Sequence, residues 1–195
     1  MRKYLLLHVL IISFVFFPTP TIQAASDVEE EIEEYKHAIR IAPDNADAHF
    51  NLGYAYIKSG MNKEAIESLK QAIRINPDFA EAHYNLGIAY GNLGMNKEAI
   101  EACKQAIRIN PDFAGAHYNL GTAYVKSGMY KEAMESYKQA IRIEPDYVVA
   151  HYNLGGVYVI LNDRGSAFEQ YKILKSLDSE LANKLANKLY NMIYK

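Results

Sequence analysis

Residues 46–79 read ADAHFNLGYAYIKSGMNKEAIESLKQAIRINPDF, and residues 80–113 repeat them at 26 of 34 positions without a gap. Residues 114–147 match 80–113 at 23 positions, and an eroded fourth copy occupies 148–180. A constant period fixes the architecture before any local motif does, because each copy is one supersecondary unit that buries its apolar face only by stacking on the next. Within the first copy His49, Leu52, Gly53 and Tyr56 fall at i, i+3, i+4 and i+7, one stripe of a helix. Ala65, Leu69, Ala72 and Ile73 form a second stripe, and Pro77 ends it because proline cannot donate the next backbone hydrogen bond. Ser59-Gly60 supplies the turn between the two helices.

Working outward, each end of the array carries an odd helix. Residues 30–43 keep the second helix's pattern, with Tyr35, Ala38, Ile39, Ile41 and Pro43 in register, but the helix that would pair with them falls among residues 1–25. Residues 26–45 are therefore expected to form an unpaired N-terminal capping helix. The acidic run Asp27, Glu29, Glu30, Glu31, Glu33 and Glu34 is placed at its start, where the backbone dipole favours negative charge. At the far end Leu181, Leu185, Leu189 and Met192 or Ile193 form a stripe opposite Asn183, Lys184, Asn187 and Lys188, which reads as a capping helix over 181–195. Few lysines and no Trp anchor separate it from a membrane-surface helix.

Residues 1–25 differ in kind. Arg2 and Lys3 precede an apolar run from Tyr4 to Phe17, broken only by His8 and Ser13; Pro18, Pro20 and a small-residue exit at Ala24-Ala25 follow. This order predicts a secretory signal cut after Ala24 or Ala25, and hence an exported protein, periplasmic or secreted. The alternative is an uncleaved membrane anchor, for which a run of 14 residues is short, since a spanning helix needs about 20. Removing the signal leaves 19 basic against 23 acidic residues, a net charge of −4. The chain thus lacks the concentrated positive surface that nucleic acid requires. A single cysteine, Cys103, excludes an internal disulfide.

The 34-residue period, the block Asn51-Leu52-Gly53-x-Ala55-Tyr56, and Gly60, Ala65, Ala72 and Pro77 recur at Asn85 to Pro111 and at Asn119 to Pro145. Together they resemble the tetratricopeptide repeat family over about two thirds of the chain. The resemblance implies an all-α fold, a right-handed α-solenoid of four helical hairpins (46–79, 80–113, 114–147 and 148–180) with capping helices at both ends. It also implies a concave groove, lined by the first helix of each hairpin, that binds peptides. The residues agree: Gly53 and Ala65, with Gly87 and Ala99, Gly121 and Ala133, Gly155 and Ala167, are small enough for paired helices to approach closely.

Where the family usually carries Trp or another large residue, this chain has His49, His83, His117 and His151. Successive layers lie about 8–10 Å apart, whereas two histidines sharing a zinc must each bring a nitrogen to about 2 Å from it. Packed, hydrogen-bonded histidines are expected, and no metal. Cys103 shares an inward column with Leu69, Tyr137 and Tyr171 and reads as a small buried hydrophobe. The chain contains no His-Glu-x-x-His helix, Gly-x-Ser-x-Gly elbow or Gly-x-x-x-x-Gly-Lys phosphate loop. No catalytic residue and no cofactor are expected, because near-identical layers do not create the unlike environments of an acid and a base.

Comparing the copies with one another points to a surface. The columns Asp47/Glu81/Gly115/Val149, Tyr54/Ile88/Thr122/Gly156, Ile57/Gly91/Val125/Val159 and Lys58/Asn92/Lys126/Ile160 vary, and their spacing puts them on one face of the first helices. Two columns on that face hold their character: Phe50, Tyr84, Tyr118 and Tyr152, and Asn51, Asn85, Asn119 and Asn153. An asparagine amide matches the C=O and N–H of a bound backbone, and three extended residues span about 10 Å, close to one layer. The candidate peptide-binding set is these eight with Tyr54 and Ile88. An equally open reading has each Asn satisfying backbone groups of its own solenoid.

Asp47, Glu81 and Lys58 against Val149, Val159 and Ile160 predict a ligand that is basic near the first two hairpins and apolar near the fourth. Some family members hold a C-terminal carboxylate with Lys and Arg on this face. Here an aromatic stands at the lysine place and only Lys58 and Lys126 remain, so such a tail is not expected. The first functional expectation is an exported adaptor for a protein or peptide partner, with no nucleic acid and no membrane once the signal is removed. The alternative is a structural subunit of an envelope, secretion, pilus or polysaccharide-export assembly, associating through its end helices or convex face, monomeric or self-associating.

Overall fold

The computed structural model describes residues 20–193, which form ten α-helices and, among the described residues, no strand. They are α1 Pro20–Ile41, α2 Ala46–Lys58, α3 Asn62–Ile75, α4 Ala80–Asn92, α5 Asn96–Ile109, α6 Ala114–Lys126, α7 Tyr130–Ile143, α8 Val148–Ile160, α9 Arg164–Leu177 and α10 Ser179–Ile193. The four hairpins fall where the period places them. Most of the expected signal, residues 1–19, lies outside the described residues, and within them no helix is long and apolar enough to cross a membrane.

Both ends differ from expectation in detail. Helix α1 starts at Pro20, a residue suited to a first helical turn, so the run from Asp27 to Glu34 begins about two turns in and its first turn holds no acid. At the other end α10 starts at Ser179, two residues before the expected cap, because a single residue, Asp178, links it to α9, where the interior connections such as 76–79 use four. Asp178 Oδ1 accepts the Leu181 N–H at 3.0 Å and caps the new helix.

Each first helix packs most closely on its own second helix, and each second helix then packs on the next first helix, giving a one-dimensional stack. The small residues set the approach. A Cβ on Gly53 would lie 2.6 Å from Leu69 Cγ and 3.3 Å from the Ala65 carbonyl, one on Gly87 2.7 Å from Cys103 Sγ, and one on Gly121 2.7 Å from the Tyr137 ring. At Gly155 the neighbour is Leu185 of α10, 2.5 Å away, so the C-terminal cap completes the fourth hairpin where Tyr171 has turned aside to stack on Phe168 at 5.6 Å. Cys103 is buried, and burial pushes its thiol up to about 12.

The turns use left-handed backbone at Gly60, Gly94 and Gly128 (φ 74°, 73° and 74°). In the eroded copy Asn162 stands there at φ 59°, the side chain that tolerates this region best after glycine. Each histidine locks its helix to the loop before it: Nε2–H donates to the carbonyl of Pro43, Pro77, Pro111 or Pro145 from His49, His83, His117 or His151, at 2.9, 3.1, 2.9 and 2.8 Å. His151, buried, also meets the Gln170 amide through Nδ1 at 2.7 Å. The stack therefore uses these rings as loop ties.

Candidate functional site

The first helices α2, α4, α6 and α8 stand side by side, with α10 continuing the row. Varying residues of α4, α6 and α8 open onto two adjoining troughs. The smaller, about 100 Å³, lies between α4 and α6 and is lined by Ile88, Gly91 and Asn92 on one side and Asn119, Thr122 and Lys126 on the other. The larger, about 390 Å³, lies between α6 and α8; Val125, Val157, Val159 and Ile160 give it apolar walls, and Lys126 and Lys188 bring two ammonium groups. Helices α6 and α8 touch less than α4 and α6 do. Tyr137, in the column filled by Leu69 and Cys103 in the hairpins before it, reaches between them into the larger trough.

The columns of constant character behave differently from a free polar rail. Asn153 Nδ2–H donates to the Tyr118 hydroxyl at 3.0 Å, across one layer. Burial raises the Tyr84 pKa, and the nearby Asn119 amide offsets part of that rise. The Asn153 amide is thus taken up inside the solenoid, by a tyrosine hydroxyl of the preceding hairpin rather than by backbone groups. The ladder is incomplete at its start. Phe50 has no hydroxyl to offer Asn85, which is only 6% exposed. Asn51 is half-buried.

The aromatic column is also engaged in packing. Phe50 lies against Phe79 with ring centroids 4.8 Å apart, Tyr84 against Phe113 at 4.6 Å and Tyr118 against Tyr147 at 5.2 Å, so each ring stacks on the loop before the next hairpin. Burial drives Tyr137 and Tyr147 up to about 12, leaving both hydroxyls protonated donors at any ordinary pH. Tyr137 and Thr122 share a hydroxyl contact of 3.2 Å at the trough floor. Of the remaining candidates, Tyr54 is 48% exposed under Lys58, whose ammonium lies 5.5 Å from the ring centroid, and Ile88 lines the smaller trough.

Charge on this face differs from the sequence reading in two respects. Lys58 is tied to Glu31 of α1, which neutralises it and leaves Asp47 and Glu81 as the exposed charges of the first two hairpins. Lys188 of the cap, 4.4 Å above the Tyr152 ring, adds a second cation beside Lys126 at the fourth. The helical stripe of 181–193 assigned Lys188 to the side away from the leucines but could not say that this side borders the trough. The free-amide idea has a direct test: Phe50→Tyr should complete the ladder by giving Asn85 a hydroxyl. The expected gain is about 1 kcal/mol, read as a higher urea midpoint at unchanged slope; an unchanged midpoint would show that Asn85 does not need this partner.

The comparisons match this geometry. The family model described as "TPR repeat" matches residues 26–60, 54–94 and 121–161, and two described as "Tetratricopeptide repeat" match 80–113 and 102–135. Among solved structures the chain is similar to the MamA protein, at 30% identity over 87% of this chain and 88% of that one with a TM-score of 0.67. It is also similar to YrrB, described as a TPR protein with an unusual peptide-binding site, at 23% identity, 86% and 87% coverage and a TM-score of 0.71. A third is TTC0263, a thermophilic TPR protein in Thermus thermophilus, at 24% identity, 87% and 94% coverage and a TM-score of 0.67. Curated protein sequences gave no match.

Proposed function

Since the chain belongs to the tetratricopeptide repeat family, whose members act as protein-interaction scaffolds, we propose that it is an exported adaptor that holds an extended segment of a partner protein along α2, α4, α6 and α8 and catalyses nothing itself. The observation that carries this is the overlap of three of the four varying columns with the two adjoining troughs: Ile88, Gly91 and Asn92, then Thr122, Val125 and Lys126, then Gly156, Val159 and Ile160 line them. Drift at exposed positions would scatter over all solvent-facing columns.

The troughs also describe the segment. Its apolar side chains enter the α6/α8 trough between Val125, Val159 and Ile160, with a carboxylate beside Lys126 and Lys188. Its basic residues lie near Asp47 and Glu81. With Asn153 tied to the Tyr118 hydroxyl and Asn85 buried, the amides left to a ligand backbone are those of the half-buried Asn51 and of Asn119, which lines the smaller trough. Export rests on the basic, apolar and small-residue order of residues 1–25.

The test is a fluorescence-anisotropy titration with ten-residue peptides carrying arginines at one end and two leucines at the other. One leucine end is closed by a free chain terminus, one by an amide, and one by an amide with a glutamate beside the leucines. Saturable binding of either carboxylate form, at least about tenfold tighter than the plain amide, supports the reading and says which carboxylate is used; absence of saturable binding in all three sinks it. An intact mass corresponding to a cut after Ala24 or Ala25 would record export, and full-length chain confined to the cytosolic fraction would remove that part.

A further inference from the structure

One varying column shrinks along the stack. It reads Tyr54, Ile88, Thr122 and Gly156, and the space beside it grows in the same direction. Between α4 and α6, where Ile88 and Thr122 stand, the trough holds about 100 Å³; between α6 and α8, where Thr122 and Gly156 stand, it holds about 390 Å³. Gly156 is the ninth of the thirteen residues of α8, a place where glycine weakens a helix relative to alanine. Packing does not call for it. A Cβ on the adjacent Gly155 would lie 2.5 Å from Leu185, but one on Gly156 would meet only the tip of Lys188 at 3.5 Å, an ordinary contact with a flexible side chain. Nor is its backbone left-handed, as it is at Gly60, Gly94 and Gly128. Gly91 and Gly165, the other helical glycines with room for a Cβ, lie in a last and a first turn rather than in a helix interior. Gly156 therefore keeps a strip of α8 bare inside the larger trough.

What borders that strip describes its occupant. Val125, Val157 and Ile160 supply apolar walls. Lys188 of α10 holds its ammonium 3.5 Å from the Cβ position of Gly156 and 4.4 Å from the centroid of the Tyr152 ring, one helical turn earlier on α8. A flat ring covers a bare strip of helix with more contact than a branched aliphatic chain does, and a ring laid here comes within about 6 Å of the ammonium, the reach of a cation–π contact. Lys188 is exposed, so its long stem can lift to admit the ring and settle on the outer face.

We propose that the larger trough takes an aromatic side chain of the partner segment, laid on Gly156 beneath the Lys188 ammonium, and that Gly156 selects it by carrying no side chain of its own. This rests on the reading of the troughs as the seat of an extended segment, and it names the class of residue that anchors that segment.

Fluorescence anisotropy tests this with the amide-closed, glutamate-bearing ten-residue peptide in three forms, whose arginine-free end carries two leucines, two phenylalanines or two cyclohexylalanines. The parent should bind the phenylalanine form about fivefold or more tighter than the leucine form. The cyclohexylalanine form, similar in size to phenylalanine but without a π face, should bind like leucine. Gly156→Thr, which restores the residue of the preceding hairpin, should abolish the phenylalanine preference, leave the leucine form nearly unaffected and melt no lower than the parent; Gly156→Ala repeats the test with one added carbon. Lys188→Met should weaken all three forms and remove the preference. Gly165→Ala, which lines neither trough, should change nothing. Equal binding of the phenylalanine and leucine forms by the parent, a cyclohexylalanine form that matches phenylalanine, or a preference that survives both glycine variants or Lys188→Met overturns the inference and leaves the groove standing. A parent that binds none of the three forms removes the groove itself.

Discussion

Gly121→Val should lower the melting temperature of the chain by about 10 °C, while Gly91→Ala leaves it unchanged or slightly raises it. Both glycines sit in first helices, where glycine is intrinsically about 1 kcal/mol worse than alanine, so propensity alone predicts a gain at either site. Contact decides otherwise at Gly121. A Cβ there would stand 2.7 and 2.8 Å from two ring carbons of Tyr137, a residue 1% exposed and held between Thr122 and Asn153, whereas at Gly91 nothing lies within 4 Å. The ring cannot move away without breaking its hydroxyl contacts or forcing α6 from α7. Overpacking of this kind costs about 3 kcal/mol, and a chain of this length loses about 2–4 °C per kcal/mol. Because each layer contacts only its neighbours, the third hairpin should open first. Hydrogen exchange would place the loss in α6 and α7; equal melting of the two variants would remove the close-approach account.

The position of each hairpin was legible because the period of 34 carries its own punctuation: Gly60 and its equivalents open the left-handed turn, and Pro77 and its equivalents stop the second helix. The use of the asparagines was not. Periodicity says that Asn153 repeats Asn119, but not that it stands opposite Tyr118 of the preceding hairpin; that depends on how far one layer is offset from the next. The clue was present in Phe50, the one member of its column without a hydroxyl, at the layer whose partner is Asn85. The end of the stack was hidden for a similar reason. Its eroded fourth copy has Leu177-Asp178-Ser179 where an interior copy has a proline-containing loop, so the repeat register that places the interior helices no longer places α10, and Lys188 over Tyr152 could not be read from it.

Reversing the two trough cations, Lys126→Glu with Lys188→Glu, should weaken the carboxylate-bearing leucine peptide by about a hundredfold, since a favourable pairing becomes a like-charge one in a partly enclosed space. Folding should be nearly untouched. Lys126 is exposed and donates to the Gly91 carbonyl at 3.0 Å. Lys188 is exposed and gives up only its position over the Tyr152 ring, a contact of about 0.5–1 kcal/mol. The apolar walls remain, so an amidated leucine peptide should bind the variant and the parent alike, and a peptide with an arginine beside its leucines should now prefer the variant. That exchange of preference separates a site in the trough from binding elsewhere: a ligand on the convex face would feel the change in net charge weakly and equally for all three peptides. Loss of affinity for all three by the same factor would therefore count against the trough, and retention of the carboxylate peptide at full affinity would exclude Lys126 and Lys188 from its recognition.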